Sequence, residues 1–419
     1  MKIWERIKNK LLYPGARSYL LFQSRFNWLK SLFKKDKVVL EKPYNGKKIL
    51  LLALYEKGVL RADIENLLAT AKKQGVYTLC INTLKLDAPE KYQGLMDCYI
   101  ERYNFGRDFG SYKTGVNHLY KRNWHEQCPR LLILNDSLFY SKKNLEAFIK
   151  NMLSTDMEVL GATENHEIEH HIGSFCLSLD SSIVKHNKFK RYWKEYSNSD
   201  LRPTVIKRGE MQLSKALHRC VSSQNNIRAL YDTAWLSEYI KNNKGFLDHA
   251  YNYYRTPENH WGPPSIKKVG ERIIEKHALI NPSLINLDAN TEVSITEAGA
   301  YYVDSPDTLI HAIRSSLTTS ESDLVGESVY DEVKNNLLEC FSRGSQIHQN
   351  GILLHHLGLP IIKLDGLYRG LFVTEDIEKL ALQLEPEELV TFKRLMYSNP
   401  FGDNILLGWK KAAFSRGLI

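Results

Sequence analysis

Short apolar runs alternate with helical patterns through the first half of this chain, and that alternation limits the folds it can adopt. Residues 48–54 are apolar and lie between turn-forming residues, which is typical of a strand buried on both faces of a parallel sheet. Apolar residues then recur at helical spacing over residues 60–71, and Gly75 precedes a second apolar run at residues 76–82. These segments predict one strand–helix–strand unit.

The alternation continues to about residue 196. We predict further strands at residues 97–102, 130–137, 159–162 and 174–179, and helices near residues 111–120 and 188–196. Strands that alternate with helices predict an α/β fold with a Rossmann-like, mostly parallel sheet and flanking helices. Ligands bind beyond the carboxyl ends of the strands in such sheets, so polar residues at these ends are candidate ligands.

The second part of the chain has a different pattern. Beyond about residue 260 the alternation fades into mostly helical segments, such as residues 331–340 and 374–384, and Pro-containing stretches at 261–264 and 281–282 mark a soft boundary. We therefore expect three regions. They are a basic amphipathic segment at 1–45, an α/β domain at 46–260, and a mostly helical region at 261–419 that completes the cleft of that domain.

The positive charge of the chain is concentrated at its start. Residues 1–37 contain ten Lys and Arg against Glu5 and Asp36, which accounts for eight of the nine net positive charges. The same segment has bulky apolar residues at helix-like spacing, which is broken at Pro14 and Gly15. A basic amphipathic helix suits an anionic membrane surface, and we expect a peripheral location there and no nucleic-acid partner. A helix packed on the body of the protein is the alternative.

Other bulk features favour a cytoplasmic protein on the inner face of the cell membrane. No window approaches the roughly 18 consecutive apolar residues of a membrane-spanning helix, and the N-terminus has no apolar core of the signal-peptide type. The six cysteines lie far apart and form no CxxC pair, so we expect reduced thiols rather than a zinc ribbon or a disulfide framework.

Residues 102–113 are the most distinctive segment. Gly106, Gly110, Arg107 and Asp108 lie between a predicted strand and a predicted helix start. Backbone amides and guanidinium groups at such a position can bind a phosphorylated ligand, while the carboxylate accepts from a sugar hydroxyl. An ordinary capped turn is the alternative.

Two further polar clusters could carry chemistry. Asn135, Asp136 and Ser137 end an apolar strand, where a carboxylate and its oxygen-bearing neighbours can hold a divalent cation together with a diphosphate, or simply cap a turn. Glu210 opens the amphipathic stretch 211–217. It is either a capping carboxylate or, if it faces the same crevice as Asp136, a group that can take a proton from a hydroxyl.

Five segments, in order, carry a resemblance to a known family. They are residues 104–113 (NFGRDFGSYK), 132–137 (LILNDS), 171–175 (HIGSF), 209–214 (GEMQLS) and 358–363 (GLPIIK). The chain from about residue 48 to 370 resembles the rhamnan synthesis protein F family of glycosyltransferases, whose members make cell-wall rhamnan, O antigen and related polysaccharides.

The resemblance implies an activity and its partners. It implies a GT-A-type domain that transfers a sugar, by default rhamnose from dTDP-rhamnose, to a growing lipid-linked surface polysaccharide such as O antigen, capsule or rhamnan, with inversion at the anomeric carbon. Mg²⁺ or Mn²⁺ is compatible with the DxD position. The triplet there has a single acid, however, so strict dependence on a metal is not implied.

The resemblance also implies roles for individual residues. Glu210 would be the catalytic base, and Asp136 would occupy the DxD position as a catalytic residue and the metal ligand. His171 and Ser174 would lie near the acceptor. The donor would be bound by Tyr55, Asn82, Arg107, Asp108, Asn135 and Lys363.

Two other functions remain open from the sequence. Residues 166–170 fit H-E-x-x-H, in which two histidines one helical turn apart, His166 and His170, bind zinc and Glu167 acts as the base of a hydrolase. Against this, the segment lies between two short predicted strands. The second alternative is a catalytically inactive glycosyltransferase-like scaffold at the membrane, which the retention of Asp108, Asp136 and Glu210 disfavours.

Overall fold

The computed structural model of the protein describes residues 2–255, 265–276, 293–295, 299–301, 305–316, 322–398, 410, 413–414 and 417–418. The predicted proline-rich boundary stretches, 261–264 and 281–282, lie outside these residues. The strands are β1 (Lys37–Glu41), β2 (Ile49–Leu54), β3 (Tyr77–Asn82), β4 (Cys98–Glu101), β5 (Arg130–Asn135), β6 (Leu138–Tyr140), β7 (Val159–Asn165), β8 (His171–Ile172), β9 (Cys176–Asp180), β10 (Ile227–Tyr231), β11 (Val293–Ile295), β12 (Gly299–Tyr301) and β13 (Ile361–Lys363).

The α-helices flank these strands, and a π-helix (Ile206–Met211) follows the seventh of them. They are α1 (Lys2–Leu32), α2 (Ala62–Lys73), α3 (Arg107–Lys121), α4 (Leu145–Leu153), α5 (Ser181–Lys185), α6 (Asn187–Glu195), α7 (Arg202–Val205), α8 (Gln212–His218), α9 (Thr233–Asn242), α10 (Ile266–Lys276), α11 (Pro306–Ser316), α12 (Ser322–Phe341), α13 (Gln346–Gln349), α14 (Gly351–His356), α15 (Thr374–Ala381) and α16 (Leu389–Tyr397).

One large mixed sheet organises the fold. Its strand order is β1-β4-β3-β2-β5-β9-β7-β10, and β8 pairs with β7. Strands β2, β3, β4, β5, β7 and β10 run in one direction, while β1, β8 and β9 run in the other. The predicted mostly parallel α/β sheet is therefore confirmed, and the predicted strands correspond to β2, β3, β4, β5, β7 and β9.

Strand β2 is at the centre of the sheet and is buried on both faces. Alternate side chains enter different apolar clusters, with Leu50 and Leu52 on one side and Ile49 and Leu51 on the other. The first cluster includes apolar residues of α2 and α4, and the second includes those of α3, α6 and α8. Burial of each such leucine or isoleucine side chain stabilises the fold by about 1.5–3 kcal/mol, which explains the uninterrupted apolar sequence of this strand.

The late part of the chain joins the sheet domain directly. Strand β13 pairs antiparallel with β6, and Lys363 lies opposite Leu138. Leu353 of α14 belongs to the same apolar cluster as Leu50 of β2. The described residues beyond 260 are mostly helical, as predicted, but they share a core with the sheet, and the domain boundary near residue 260 stays a prediction.

Helix α1 runs without interruption through Pro14, so the predicted break at Pro14 and Gly15 is wrong. Both residues are exposed to solvent, where water can bond the carbonyl group that proline leaves without a donor. Leu20 packs into a small apolar cluster with the body, and Asn27 Nδ2 donates to Asp200 at 3.1 Å.

Two smaller sequence expectations can also be compared with the structure. All six cysteines are free and buried in the structure. Among the described residues, the structure contains no helix that is long and apolar enough to cross a bilayer.

Candidate active site

The turn between β4 and α3 is built by a buried arginine and a glycine. The guanidinium of Arg102 donates to the Phe105 carbonyl and fixes the turn from inside. Gly106 has a φ of +90°, and a Cβ there would lie 2.8 Å from the Asn198 side chain. Arg107 follows with a φ of +53°, a left-handed conformation that is uncommon for a residue with a side chain. This turn places Arg107 and Asp108 at the edge of the sheet.

A chain of hydrogen bonds joins this turn to the end of β5 and to β13. Asn135 Nδ2 donates to Asp108 Oδ2 at 3.0 Å, and Asn135 Oδ1 accepts from Ser137 Oγ at 2.8 Å. Lys363 Nζ donates to Ser137 Oγ at 2.8 Å. Three segments that are far apart in sequence are thus tied together by polar contacts.

Glu210 of the π-helix and His171 of β8 face each other. Glu210 lies in the π-helix, whose Gly209 packs so closely on Phe109 that a Cβ would lie 2.9 Å from the ring. His171 begins β8, and its Nδ1 lies 2.8 Å from the Glu169 carbonyl, which assigns the hydrogen to Nδ1. Its Nε2 is 3.5 Å from Glu210 Oε2, an ion-pair distance that leaves this nitrogen without a hydrogen bond among the described residues.

The environment keeps Glu210 ionised. Burial raises the pKa of its carboxyl, but the adjacent His171, together with Lys363 and Arg202, outweighs burial and holds the pKa below its usual range. Burial lowers the pKa of His171, yet Glu210 and the Glu169 carbonyl raise it above its usual value. The lowered pKa of Glu210 and the raised pKa of His171 both favour an ionised Glu210 carboxylate at neutral pH, and this form can accept a proton.

A cavity of about 180 Å³ brings these groups together. One part of its wall is cationic, and the carboxylates of Asp108 and Glu210 face the same space. Of the residues predicted for the site, those that line it are Arg107, Asp108, Asn135, His171, Ser174, Glu210 and Lys363.

The cationic wall includes residues that the sequence analysis missed. Arg202 and Arg369 line the cavity, and Asp365 Oδ2 accepts from Arg369 Nε at 2.5 Å while its Oδ1 lies 3.3 Å from His348 Nε2. Burial, followed by the charge of Arg369, lowers the pKa of Arg202. The same cavity is also lined by carboxylates, namely Asp108, Glu164, Glu167, Glu210 and Asp365, so positive and negative groups both face it. Arg202 follows no strand, and no local signal distinguishes it in the sequence.

Tyr55, Asn82 and Asp136 do not line this cavity. The ring of Tyr55 is exposed at the end of β2, and its backbone N–H donates to the buried Asp136 carboxylate. Asn82 is fully buried and brackets Glu56, accepting from its N–H at 3.1 Å and donating to its carbonyl at 2.8 Å. Asn82 and Asp136 therefore shape the loop after β2, and Tyr55 is the member of this group that a ligand can reach.

Asp136 offers a single carboxylate to a divalent cation. Among the residues that the structure describes, it belongs to no group of three carboxylate, histidine or cysteine ligands. Burial raises the pKa of Asp136, and the Arg61 guanidinium donates to its backbone carbonyl oxygen at 2.8 Å. The Lys363 ammonium group donates to the adjacent Ser137 hydroxyl. Since Mg²⁺ is commonly held by one or two carboxylates and the phosphates of the substrate, the metal role of Asp136 stays a prediction.

The H-E-x-x-H segment is not helical. Residues 166–170 form the connection between β7 and β8, so His166 and His170 are not one helical turn apart and Glu167 is exposed. The helical H-E-x-x-H geometry that the zinc hydrolase alternative assumes is therefore not formed.

Part of the chain matches a known protein family. Residues 76–226 match the family model for rhamnan synthesis protein F. The resemblance predicted from the sequence is confirmed over this range, which contains four of the five motifs and both Asp108 and Glu210. The motif at 358–363, with Lys363, lies outside the match.

Curated relatives match about two fifths of the chain. An uncharacterized protein of Sinorhizobium fredii, y4gN, is 25% identical over 42% of this chain and 46% of its own length. Virulence protein VirA of Vibrio anguillarum is 26% identical over 37% of this chain and 49% of its own length. The chain thus spans about half the length of the curated relatives it matches.

Solved glycosyltransferase structures match the chain at low similarity. The glycosyltransferase GlyE of Streptococcus pneumoniae is 11% identical, over 70% of this chain and 64% of its own, with a TM-score of 0.25. A mannosyltransferase of Pyrobaculum calidifontis, in complex with GDP-Man and Mn²⁺, is 10% identical over 93% of this chain and 97% of its own, with a TM-score of 0.26. These scores support no conclusion about activity.

Replacing His171 should raise the pKa of Glu210. In His171→Gln the imidazole that stabilises the charged carboxylate is lost, while burial continues to favour the protonated form. Carbon-13 NMR of the Glu210 carboxyl over a pH titration measures the shift. His218→Gln removes a half-buried histidine that contacts Gln224 and should leave Glu210 unchanged. An unaltered Glu210 pKa in His171→Gln would contradict the ion pair.

Proposed function

We propose that this chain is a glycosyltransferase that transfers a sugar from a nucleotide diphosphate donor to a growing lipid-linked polysaccharide of the bacterial surface. One observation carries the proposal: an ionised carboxylate, Glu210, faces a wall of cations inside one cavity. A base and a diphosphate-binding surface are the two elements that inverting sugar transfer requires. The family match over residues 76–226 supports the same activity.

The proposed transfer is a single displacement at the anomeric carbon. Glu210 accepts the proton of the acceptor hydroxyl as that oxygen forms its bond to the sugar, and the bond from the sugar to the diphosphate breaks with the electron pair leaving on the phosphate oxygen. Its low pKa keeps Glu210 in the accepting form over a wide pH range. His171 holds the carboxylate in place through their ion pair, and with Ser174 it lies where the acceptor would enter.

Side-chain cations stabilise the leaving diphosphate in this proposal. Lys363, Arg107 and Arg202 line the cavity, and an anion placed among them relieves their mutual repulsion. Asp365 orients Arg369 toward the same space through their 2.5 Å contact. Because these side-chain cations can themselves neutralise the departing diphosphate, we propose that transfer does not require Mg²⁺ or Mn²⁺.

The donor nucleoside is assigned to the carboxyl ends of β2 and β3. The Tyr55 ring is 47% exposed there, and an exposed aromatic ring can stack on a nucleobase. Asn82 and Asp136 hold the backbone that presents this ring. We assign dTDP-rhamnose as the default donor on the family description alone, since a few side chains can change sugar specificity.

Helix α1 provides the proposed membrane contact. Phe22, Phe26, Leu29 and Phe33 recur every three or four residues and are exposed, with Phe22 at 70% and Phe33 at 86%. The opposite face, which includes Leu20, packs on the body. The apolar face is flanked by lysine and arginine, including Lys30, whose ammonium lies 4.4 Å from the Phe26 ring centre. Such a helix can seat its apolar face among anionic headgroups and keep the cavity near a lipid-linked acceptor.

Glu210→Gln should abolish transfer without abolishing donor binding. The amide cannot accept the proton, so we expect transfer to fall by roughly 10²–10⁴-fold. Calorimetric titration with dTDP, UDP and GDP identifies the nucleotide, and sugar transfer is then assayed in the parent, in Glu210→Gln and in the control Glu195→Gln, an exposed carboxylate paired with Arg191. Full polysaccharide assembly in cells that carry only Glu210→Gln would favour the inactive scaffold instead.

Lys363→Met should lower the transfer rate by roughly 10²–10³-fold, because one cation that faces the leaving group is lost. The matched control, Lys241→Met, removes an exposed lysine that pairs only with Glu238 at 3.6 Å and should have no effect. The parent protein should keep its activity in EDTA. Loss of parental activity in EDTA, restored by Mg²⁺ or Mn²⁺, would overturn the metal-independent mechanism.

Acidic residues on the exposed face of α1 should release the protein from membranes. We expect Phe22→Glu with Phe26→Glu and Phe33→Glu to lose cosedimentation with phosphatidylglycerol vesicles, since the helix loses apolar area and gains like charge. The control pair, Leu382→Glu and Val390→Glu, alters equally exposed apolar residues elsewhere and should bind as the parent does. Equal binding by both sets would rule out this face as the contact.

A further inference from the structure

The connection between β7 and β8 brings two histidines onto one carboxylate. His170 Nε2 lies 3.1 Å from Glu164 Oε1, and His166 Nε2 lies 3.4 Å from Glu164 Oε2. The two imidazole rings are 4.9 Å apart between centres. One ligand atom from each of the three residues falls within 4.8 Å of the others. Glu164 also lines the cavity, but none of the three side chains is the proposed base or one of the cations of its wall.

These separations are compatible with one ion shared by the three side chains. Nitrogen and oxygen ligands about 2.0–2.1 Å from zinc lie about 3.3 Å from each other when the angles are tetrahedral. The observed distances of 3.1 and 3.4 Å involve different oxygens of Glu164, so a tetrahedral site with a single Glu164 oxygen requires a small rotation of these side chains. Two imidazoles and one carboxylate are also a ligand set that suits zinc and its neighbours among the divalent transition metals.

The backbone of the connection is fixed before any ion binds. The Glu164 N–H donates to Gln346 Oε1 at 2.9 Å, and the His166 N–H donates to the Gly344 carbonyl at 2.7 Å. Lys215 pairs with Glu169 at 2.8 Å on the other side. The ligands are therefore held near their binding geometry, so less conformational entropy is lost when an ion binds.

An ion can reach this cluster from solvent. The side chains of His166 and His170 are 28% and 47% exposed, while that of Glu164 is 14% exposed. We propose that Glu164, His166 and His170 form a transition-metal site, with zinc as the expected ion, that ties together the two sides of the β7–β8 hairpin. His170 directly precedes His171, so the bound ion fixes the backbone from which His171 faces Glu210.

A second group in the described part of the chain meets the same distance condition but suits a metal less well. It consists of Glu41, Cys98 and His118. Glu41 is already paired with Arg122 at 2.7 Å and with His118 at 2.9 Å. Burial raises the pKa of the Cys98 thiol, which disfavours the thiolate that binds metals. Co²⁺ bound to a cysteine thiolate gives a charge-transfer absorption band, so binding at Cys98 can be distinguished from binding at the two histidines.

Cobalt titration of the metal-free full chain tests the site. Co²⁺ should bind with one equivalent, give visible absorption without a thiolate charge-transfer band, and be displaced by Zn²⁺. His166→Ala and His170→Ala should each weaken binding at least tenfold, an order of magnitude expected even for loss of an outer-shell partner. His218→Ala, which removes a half-buried histidine outside the cluster, should bind Co²⁺ as the parent does.

Amide hydrogen exchange gives a second readout on the unaltered protein. Saturation with Zn²⁺ should slow exchange across residues 164–172, because the ion ties both sides of the hairpin, and should leave strand β2 unaffected. A thiolate band that disappears in Cys98→Ser, equal binding in the histidine variants, or exchange that Zn²⁺ leaves unchanged would each overturn the proposal.

Discussion

The contact of Lys363 with the end of β5 is the interaction on which the candidate site depends. Strand β13 pairs with β6 and places Lys363 opposite Leu138, only a few residues after β5 ends. The ammonium group then bonds Ser137, which bonds Asn135, which bonds Asp108. This chain of hydrogen bonds closes the cavity from one side and sets where its cations stand relative to its carboxylates.

Burial of the site strengthens the influence that its positive and negative groups have on one another's pKa values. Burial raises the pKa of the Glu210 carboxyl, but His171, Lys363 and Arg202 outweigh it and hold that pKa below its usual range. Asp365 is the clearest example, because His348, Lys363 and Arg369 hold its pKa well below its usual range despite burial. The site is thus charged and polarised before a ligand arrives, which is the condition under which fixed charges stabilise a transition state effectively.

The sequence patterns located the sheet and much of the site, and their failures have physical causes. Buried parallel strands must be continuously apolar, so β2, β3 and β5 were readily predicted. The short strands β6, β8 and β13 were missed because two or three residues form no periodic pattern. Pro14 was read as a helix break, although an exposed proline in a long helix forfeits only one hydrogen bond. The H-E-x-x-H pattern brings its two histidines together on one face only when the segment is a helix, and residues 166–170 are not helical.

The sequence by itself determined the α/β class, the polar residues at the strand ends and the family resemblance, because each of these depends on residue type over short spans. Only the tertiary structure decided which of those residues meet. It brought Glu210 to His171 and Lys363 to Ser137, it turned Asn82 and Asp136 to supporting the loop after β2, and it added Arg202 and Arg369 to the cavity wall. Such contacts depend on strand pairing and burial between segments as much as 226 residues apart, and no local pattern encodes them.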